Sequence, residues 1–137
     1  MILFLGTLAY TLVTFPIAVI WHIVFFKSLY LSFGYFGEEP SFILGFCAIV
    51  LQGGLLTWGF TKVSFSGSVL VQALKYVSWL GVFFWTSHVI ALMAKSVSAQ
   101  SMVFFLMETF YLGLQFGIYG LLLAAIHNKF SPQGQLK

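Results

Sequence analysis

Hydrophobic residues fall in four long blocks along this chain, Ile2 to Phe26, Phe42 to Phe60, Tyr76 to Ala94 and Met102 to Ile126, with charges, serines, glycines and proline gathered between them. About 20 apolar residues in a helix cross the hydrocarbon core of a bilayer, so each block predicts a membrane-spanning helix. The gaps are too short for a soluble domain. The predicted fold is all-α, a single domain in which four transmembrane helices form one bundle with the lipid bilayer around it. The gap from Lys95 to Ser101 is short enough to make the third and fourth helices antiparallel neighbours.

Within the blocks, polar and small residues recur at helical spacing. The first helix aligns Thr7, Thr11, Thr14, Ala18 and His22; the second aligns Ser41, Gly45, Ala48, Gln52 and Gly59; the third aligns Ser78, Gly81, Trp85, His88 and Lys95. The fourth carries two stripes, Glu108, Tyr111, Gln115 and Tyr119 on one and Gly113, Gly117, Gly120 and Ala124 on the other. Lipid satisfies no polar group, so these faces are expected to point into the bundle. Gly113, Gly117 and Gly120 predict close helix packing, within the bundle or against a second copy or a partner membrane protein. Pro16 predicts a kink in the first helix.

Charge singles out one residue. The chain has six lysines, three glutamates and no arginine, and only Glu108 falls inside an apolar block. A carboxylate at a membrane helix centre costs about 2.5 to 3.5 kcal/mol on insertion scales, so Glu108 should face protein or water and have a partner. At about 1.5 Å per residue, Glu108, His22 and His88 share one half of the membrane, with Gln52 and Gln115 nearer its middle. Glu108, His88, His22, Tyr111, Gln115 and Gln52 are therefore the candidate polar cluster, pictured as a pocket open to the outer side and closed toward the cytoplasm.

Three chemistries suit that cluster. It is a structural hydrogen-bond network that fixes helix register. Or it is a proton-linked or small-solute site, because a carboxyl beside imidazoles in low dielectric titrates near physiological pH. Or His22, His88 and Glu108 are metal ligands, a set that suits zinc, iron or copper. Cys47, Met93, Met102 and Met107 read as packing residues. His127 is expected to bond the last carbonyls of the fourth helix or lipid headgroups.

Other classes are disfavoured. A net charge of +3 carried by scattered lysines is too sparse for a nucleic-acid surface. The single Cys47 excludes an internal disulfide and a CxxC pair. There is no phosphate loop, GxGxxG or GxSxG, and no catalytic residue or cofactor is assigned, although an enzyme acting on a lipid-soluble substrate stays open.

The first block begins without basic residues and exceeds the roughly 7 to 15 residues of a signal-peptide core, so it is read as retained. Lys62, Lys75, Lys129 and Lys137 on one side outnumber Lys27 and Lys95 on the other, which places both termini in the cytoplasm of a bacterial inner membrane. Trp21, Trp58, Trp79, Tyr30, Tyr35 and Tyr76 lie toward block ends and are expected at the lipid–water interface. The segment from Lys27 to the turn at Glu38, Glu39 and Pro40 is expected to lie along that interface. The tail with Pro132 and Gly134 is expected to fray.

Trp21, His22 and Lys27-Ser28 echo Trp85, His88 and Lys95-Ser96, and Leu51-Gln52 with Gly54 echoes Leu114-Gln115 with Gly117. Two hairpins related by an axis along the membrane normal would follow. The run Trp21-His22 to Lys27 and Tyr30, Gly34, Glu38-Glu39-Pro40, Gln52-Gly53, Trp85 to His88 and Lys95, and Glu108 to Gln115 and Gly120 resembles small uncharacterised bacterial four-helix membrane proteins of the domain-of-unknown-function type. The resemblance spans most of the chain, implies the four-span topology and carries no activity. From the residues, the leading expectation is a non-enzymatic accessory or interaction component of the membrane. The alternative is a carrier or permease-like protein for protons, a metal or a small solute that uses the His/Glu cluster.

Overall fold

The structure is a computed structural model that describes residues 1–37 and 39–131. The expectations for Glu38, Pro132, Gly134 and Lys137 lie outside the described residues. Helix α1 (Ile2–Ala18) runs on as a π-helical stretch, Val19–Phe25, and the short α2 (Lys27–Ser32) follows. Then come α3 (Phe42–Phe60), α4 (Val69–Trp85) with a π-helical stretch Thr86–Ile90 and the short α5 (Ala91–Lys95), and α6 (Met102–Phe130). The described residues contain no strand, and four helical stretches, Ile2–Phe25, Phe42–Phe60, Val69–Lys95 and Met102–Phe130, are long and apolar enough to cross a membrane. The chain is an all-α membrane protein.

Serines set the helix starts. Ser41, Ser68 and Ser101 have extended backbones, and their hydroxyls accept from the amides of Leu44, Val71 and Phe104, taking one otherwise orphaned donor of each helix. The cap at Ser68 starts the third span at Val69, ahead of the apolar block that begins at Tyr76. The fourth helix likewise continues past Ile126 to Phe130.

Both long helices that lead into a hairpin widen near the same end of the bundle, for different local reasons. Pro16 has no amide hydrogen to offer the carbonyl of Leu12, and the π-helical stretch begins three residues later, at Val19. The third span has no proline there; instead the hydroxyls of Thr86 and Ser87 donate to the carbonyls of Phe83 and Phe84 and compete with the helix ladder. His22 and His88 both lie on these widened turns.

α1 packs along α3 and α6, and α4 packs along α6, whereas α3 and α4 make no comparable contact. Glycines permit the close approaches: a Cβ at Gly6 would collide with the side chain of Thr57, and one at Gly120 would lie 2.7 Å from Val77. Residues Ser41 to Ala48 are all exposed, and this half of α3 meets α1 through the Phe46 ring, edge-on to Phe15 at 5.3 Å. The inward stripe expected on this helix therefore holds only in part, because Ser41, Gly45 and Ala48 have no helix packed over them.

The segment after α1 folds back on the bundle through its aromatic side chains. α2 ends on Gly34 at φ 68°, with Gly34 donating to the carbonyl of Leu31 and Tyr35 donating to that of Tyr30. This pair of bonds is a Schellman turn, which brings the residue after the glycine back over the last helical turn. Here it sets the rings of Tyr30 and Tyr35 edge to face at 5.2 Å. Ser98, from the gap before α6, donates to the carbonyl of Phe33 at 2.9 Å and holds the turn against the bundle. Tyr30, expected at the interface, is fully buried, as Tyr76 nearly is, while Trp58 and Trp79 face outward.

Candidate functional site

Glu108, fully buried on the second turn of α6, is the centre of the site. Its Oε1 lies 3.0 Å from His22 Nε2 and accepts from the Tyr30 hydroxyl at 2.6 Å. Its Oε2 lies 3.0 Å from His88 Nε2. That nitrogen is better aligned on the Tyr35 hydroxyl at 2.6 Å, which leaves Oε2 without a well-directed donor. The Tyr30 oxygen accepts in turn from Trp21 Nε1 at 2.7 Å. Side chains from the π-helical stretch after α1, from α2, from the turn behind it, from the widened turn after α4 and from α6 thus meet at one carboxyl.

The proton count of the inner pair follows from its partners. His22 Nδ1 is 3.0 Å from the carbonyl oxygen of Ala18, which can only accept, so Nδ1 carries hydrogen. If Nε2 were bare and the carboxylate ionised, lone pair would face lone pair across 3.0 Å. One proton therefore lies between them, on the imidazole or on the carboxyl, and the pair is net neutral either way. That neutrality lets a carboxyl sit at zero exposure, where an isolated charge costs several kcal/mol. The rings of Tyr30 and Tyr111 pack edge-on to His22 and that of Tyr35 stacks on it at 5.0 Å. Burial, and after it the Glu108 carboxylate, push the Tyr30 and Tyr35 hydroxyls above their ordinary pKa, so both stay protonated donors.

A second polar layer lies deeper in the bundle. The Tyr10 hydroxyl donates to Gln52 Oε1 at 3.2 Å and accepts from Gln115 Nε2 at 2.8 Å, joining two residues of the predicted cluster through a third that the stripes did not mark. The Thr14 hydroxyl is buried with no partner in hydrogen-bonding geometry, since the adjacent Tyr10 is engaged with the two glutamines. Below this layer Thr57 and Tyr119 are hydrogen-bonded at 2.9 Å, and the Tyr119 ring meets Tyr10 edge-on.

Between the two layers is a cavity of about 350 Å³. α1 and α6 form its back, α3 one side and the Phe84–His88 segment the other, with Tyr35, Phe36 and Pro40 at its α2 end. His88 has its side chain 38% exposed, in contrast to the enclosed Glu108. The α2 turn lines one end of the cavity, which lies where α3 and α4 are not packed against each other.

Of the predicted cluster, Glu108, His22 and His88 are brought together directly, Gln52 and Gln115 belong to the second layer, and Tyr111 packs on His22 without a hydroxyl bond among the described residues. Tyr30 and Tyr35 were missed as partners, and the signal for them was the glycine two residues beyond a short helical run. His22 and His88 each lie 3.0 Å from an oxygen of Glu108. No three His, Cys, Asp or Glu side chains among the described residues are arranged to hold a metal ion. Gly120 packs on Val77 and Leu74, whereas a Cβ at Gly113 or Gly117 would meet nothing within 4 Å. Cys47 is exposed, and His127 bonds the carbonyl of Leu123 at 3.1 Å. Compared with family models, curated proteins and solved structures, the chain finds no match in any of the three.

Proposed function

We propose that this membrane protein is a carrier or permease-like, non-enzymatic binding protein of a bacterial inner membrane, with both termini cytoplasmic, that receives a small solute in the cavity beside His88. The observation that carries the reading is the division of labour at Glu108: the carboxyl is closed off by His22 and Tyr30, while His88, on its other oxygen, opens on a cavity of about 350 Å³. A cluster that only fixed helix register would have no need of an adjoining space of ligand size.

Native mass spectrometry of protein extracted from its own membrane in mild detergent tests this without knowledge of the solute. A Cβ at Gly45 meets nothing within 4 Å and the residue lines the cavity, so Gly45→Phe adds bulk to the cavity wall from an unobstructed backbone position. The wild type is expected to release a bound small molecule on activation, and Gly45→Phe to appear at its bare mass. Bare mass for both proteins would overturn the reading.

A second reading, an interaction component that meets another copy or a partner helix, is favoured by one feature. Gly113 and Gly117 line an open groove between α4 and α6 with Gly81 and Phe116. The same spectra would then show a dimer or a second protein, lost on Gly117→Leu.

A further inference from the structure

We infer that the ligand of the cavity is a neutral, lipid-soluble molecule with a ring head bearing oxygens at opposite positions, of the quinone or quinol class, which enters from the bilayer between α3 and α4. This rests on the solute-binding reading and adds the chemical class and the route.

The route follows from what surrounds the space. Tyr35, Phe36 and Pro40 cover the α2 end, and the layer of Tyr10, Gln52 and Gln115 closes the other. The remaining side is the gap between α3 and α4, where the exposed residues Ser41 to Ala48 border lipid. A ligand that arrives by this path is already dissolved in the membrane.

The charge of the ligand follows from its walls. No lysine lines the cavity, and Glu108 is enclosed in a net-neutral pair with His22. Nothing there compensates a phosphate, a carboxylate or an ammonium, and an unpaired charge in such a place is costly. A phospholipid headgroup is therefore unsuitable, and an uncharged head fits.

The shape of the head follows from the spacing of the polar ends. His88 and Tyr35 offer hydrogen-bonding atoms at one end; the Gln52 amide, which donates to no partner among the described residues, and the unpartnered Thr14 hydroxyl offer them at the other. At about 1.5 Å per residue, and less through the widened turn, Thr14 lies at most about 12 Å from the level of His22, and His88 reaches the other oxygen of the same carboxyl, so the two ends are separated by about that length or a little less. A ring with para oxygens ~5 Å apart, extended by a hydrogen bond of about 2.8 Å at each end, spans nearly that length. Phe15, Phe36 and Phe84 supply aromatic walls for the flat ring, and the gap between α3 and α4 leaves room for a tail in lipid.

The test is equilibrium binding to the full chain in phosphatidylcholine nanodiscs, with decyl-substituted benzoquinone as probe and decylbenzene as the same tail and ring without oxygens. The quinone is expected to saturate at one equivalent per chain and to bind at least tenfold more tightly than decylbenzene. Gly45→Phe and Thr14→Val are each expected to weaken quinone binding, the first at least tenfold and the second severalfold; Gly113→Leu, outside the cavity, should leave it unchanged. The Thr14 hydroxyl makes no well-formed bond to the protein, so Thr14→Val is expected to retain the fold, and thermal unfolding checks this directly. Equal binding of quinone and decylbenzene, or wild-type binding by Gly45→Phe, overturns the inference. If the native spectra show a Gly45-sensitive ligand and the quinone does not bind, the inference falls and the solute-binding reading stands; if neither binds, both fall.

Discussion

His22 and His88 occupy corresponding places in the two hairpins, each on a widened helical turn and each with Nε2 3.0 Å from an oxygen of the same carboxyl, yet they differ in freedom. His22 has both nitrogens engaged, is stacked among tyrosines and is nearly sealed. His88 shares one nitrogen between a carboxylate and a tyrosine and turns its exposed side to a cavity. Equal distance to Glu108 thus conceals unequal roles. A buried polar group with every valence used belongs to the fold, and one with valences to spare, beside a space, is available to a ligand.

The largest effect is expected where the comparison has its pivot. Glu108→Leu leaves His22 Nε2 and Tyr30 without their partner and is expected to lower stability by about 3 to 5 kcal/mol, read as the unfolding midpoint in detergent. Glu108→Gln should cost about 1 kcal/mol, because one amide position cannot both donate to His22 and accept from Tyr30 as a carboxyl oxygen does. A Leu variant as stable as wild type would remove the pivot altogether.

Next in size is the contrast between the histidines themselves. His22→Ala is expected to cost about 2 to 4 kcal/mol and His88→Ala under about 1 kcal/mol, measured side by side by chemical unfolding. Equal losses would break the distinction between a sealed and an available imidazole. The turn that carries their tyrosine partners comes third: Gly34→Ala forces a side chain into positive φ and brings a Cβ to 3.1 Å from Ser98 Oγ. About 1 kcal/mol should be lost, with a change in the near-ultraviolet tyrosine signal as Tyr35 moves.

The smallest effect is a response to alkali. Tyr30 and Tyr35 have folded-state pKa values raised above the ordinary value of 10.0, so the folded protein holds their protons more firmly than the unfolded chain. Their contribution is complete below about pH 10 and is lost as the pH climbs toward the raised values. Helicity followed by circular dichroism should stay level up to about pH 10 and then decline, and Tyr30→Phe should blunt the decline. A decline that starts near neutrality would point away from the tyrosines.

Much of this was legible from residue order alone. Block lengths gave the helices, and the rise per residue put Glu108, His22 and His88 at one depth, because both depend on local geometry that the chain cannot escape. The tyrosine partners were not legible as such: an aromatic loop beside a membrane looks interfacial, and only Gly34 at positive φ sends Tyr30 and Tyr35 inward. Nor does a period of 3.6 residues announce the widened turns at Val19 and Thr86, which rotate both histidines relative to the rest of their helices. The parting of α3 from α4 is a property of packing between hairpins, and no stripe on a single helix encodes it.

The distribution of buried residues among the spans bears on how the protein is made. In the most apolar windows of α3 and of the third span only 17% and 11% of residues are buried, against 44% for α6. Ribosomal synthesis runs from the N-terminus, so the helices produced earlier are the ones most at ease alone in lipid. The segment with the carboxyl reaches the bilayer last, after both histidines and both tyrosines are already there. Glu108 thus has no waiting period without a partner, and a nascent chain cut short before Met102 strands His22, Tyr30 and His88 in the membrane as a mark of incompleteness.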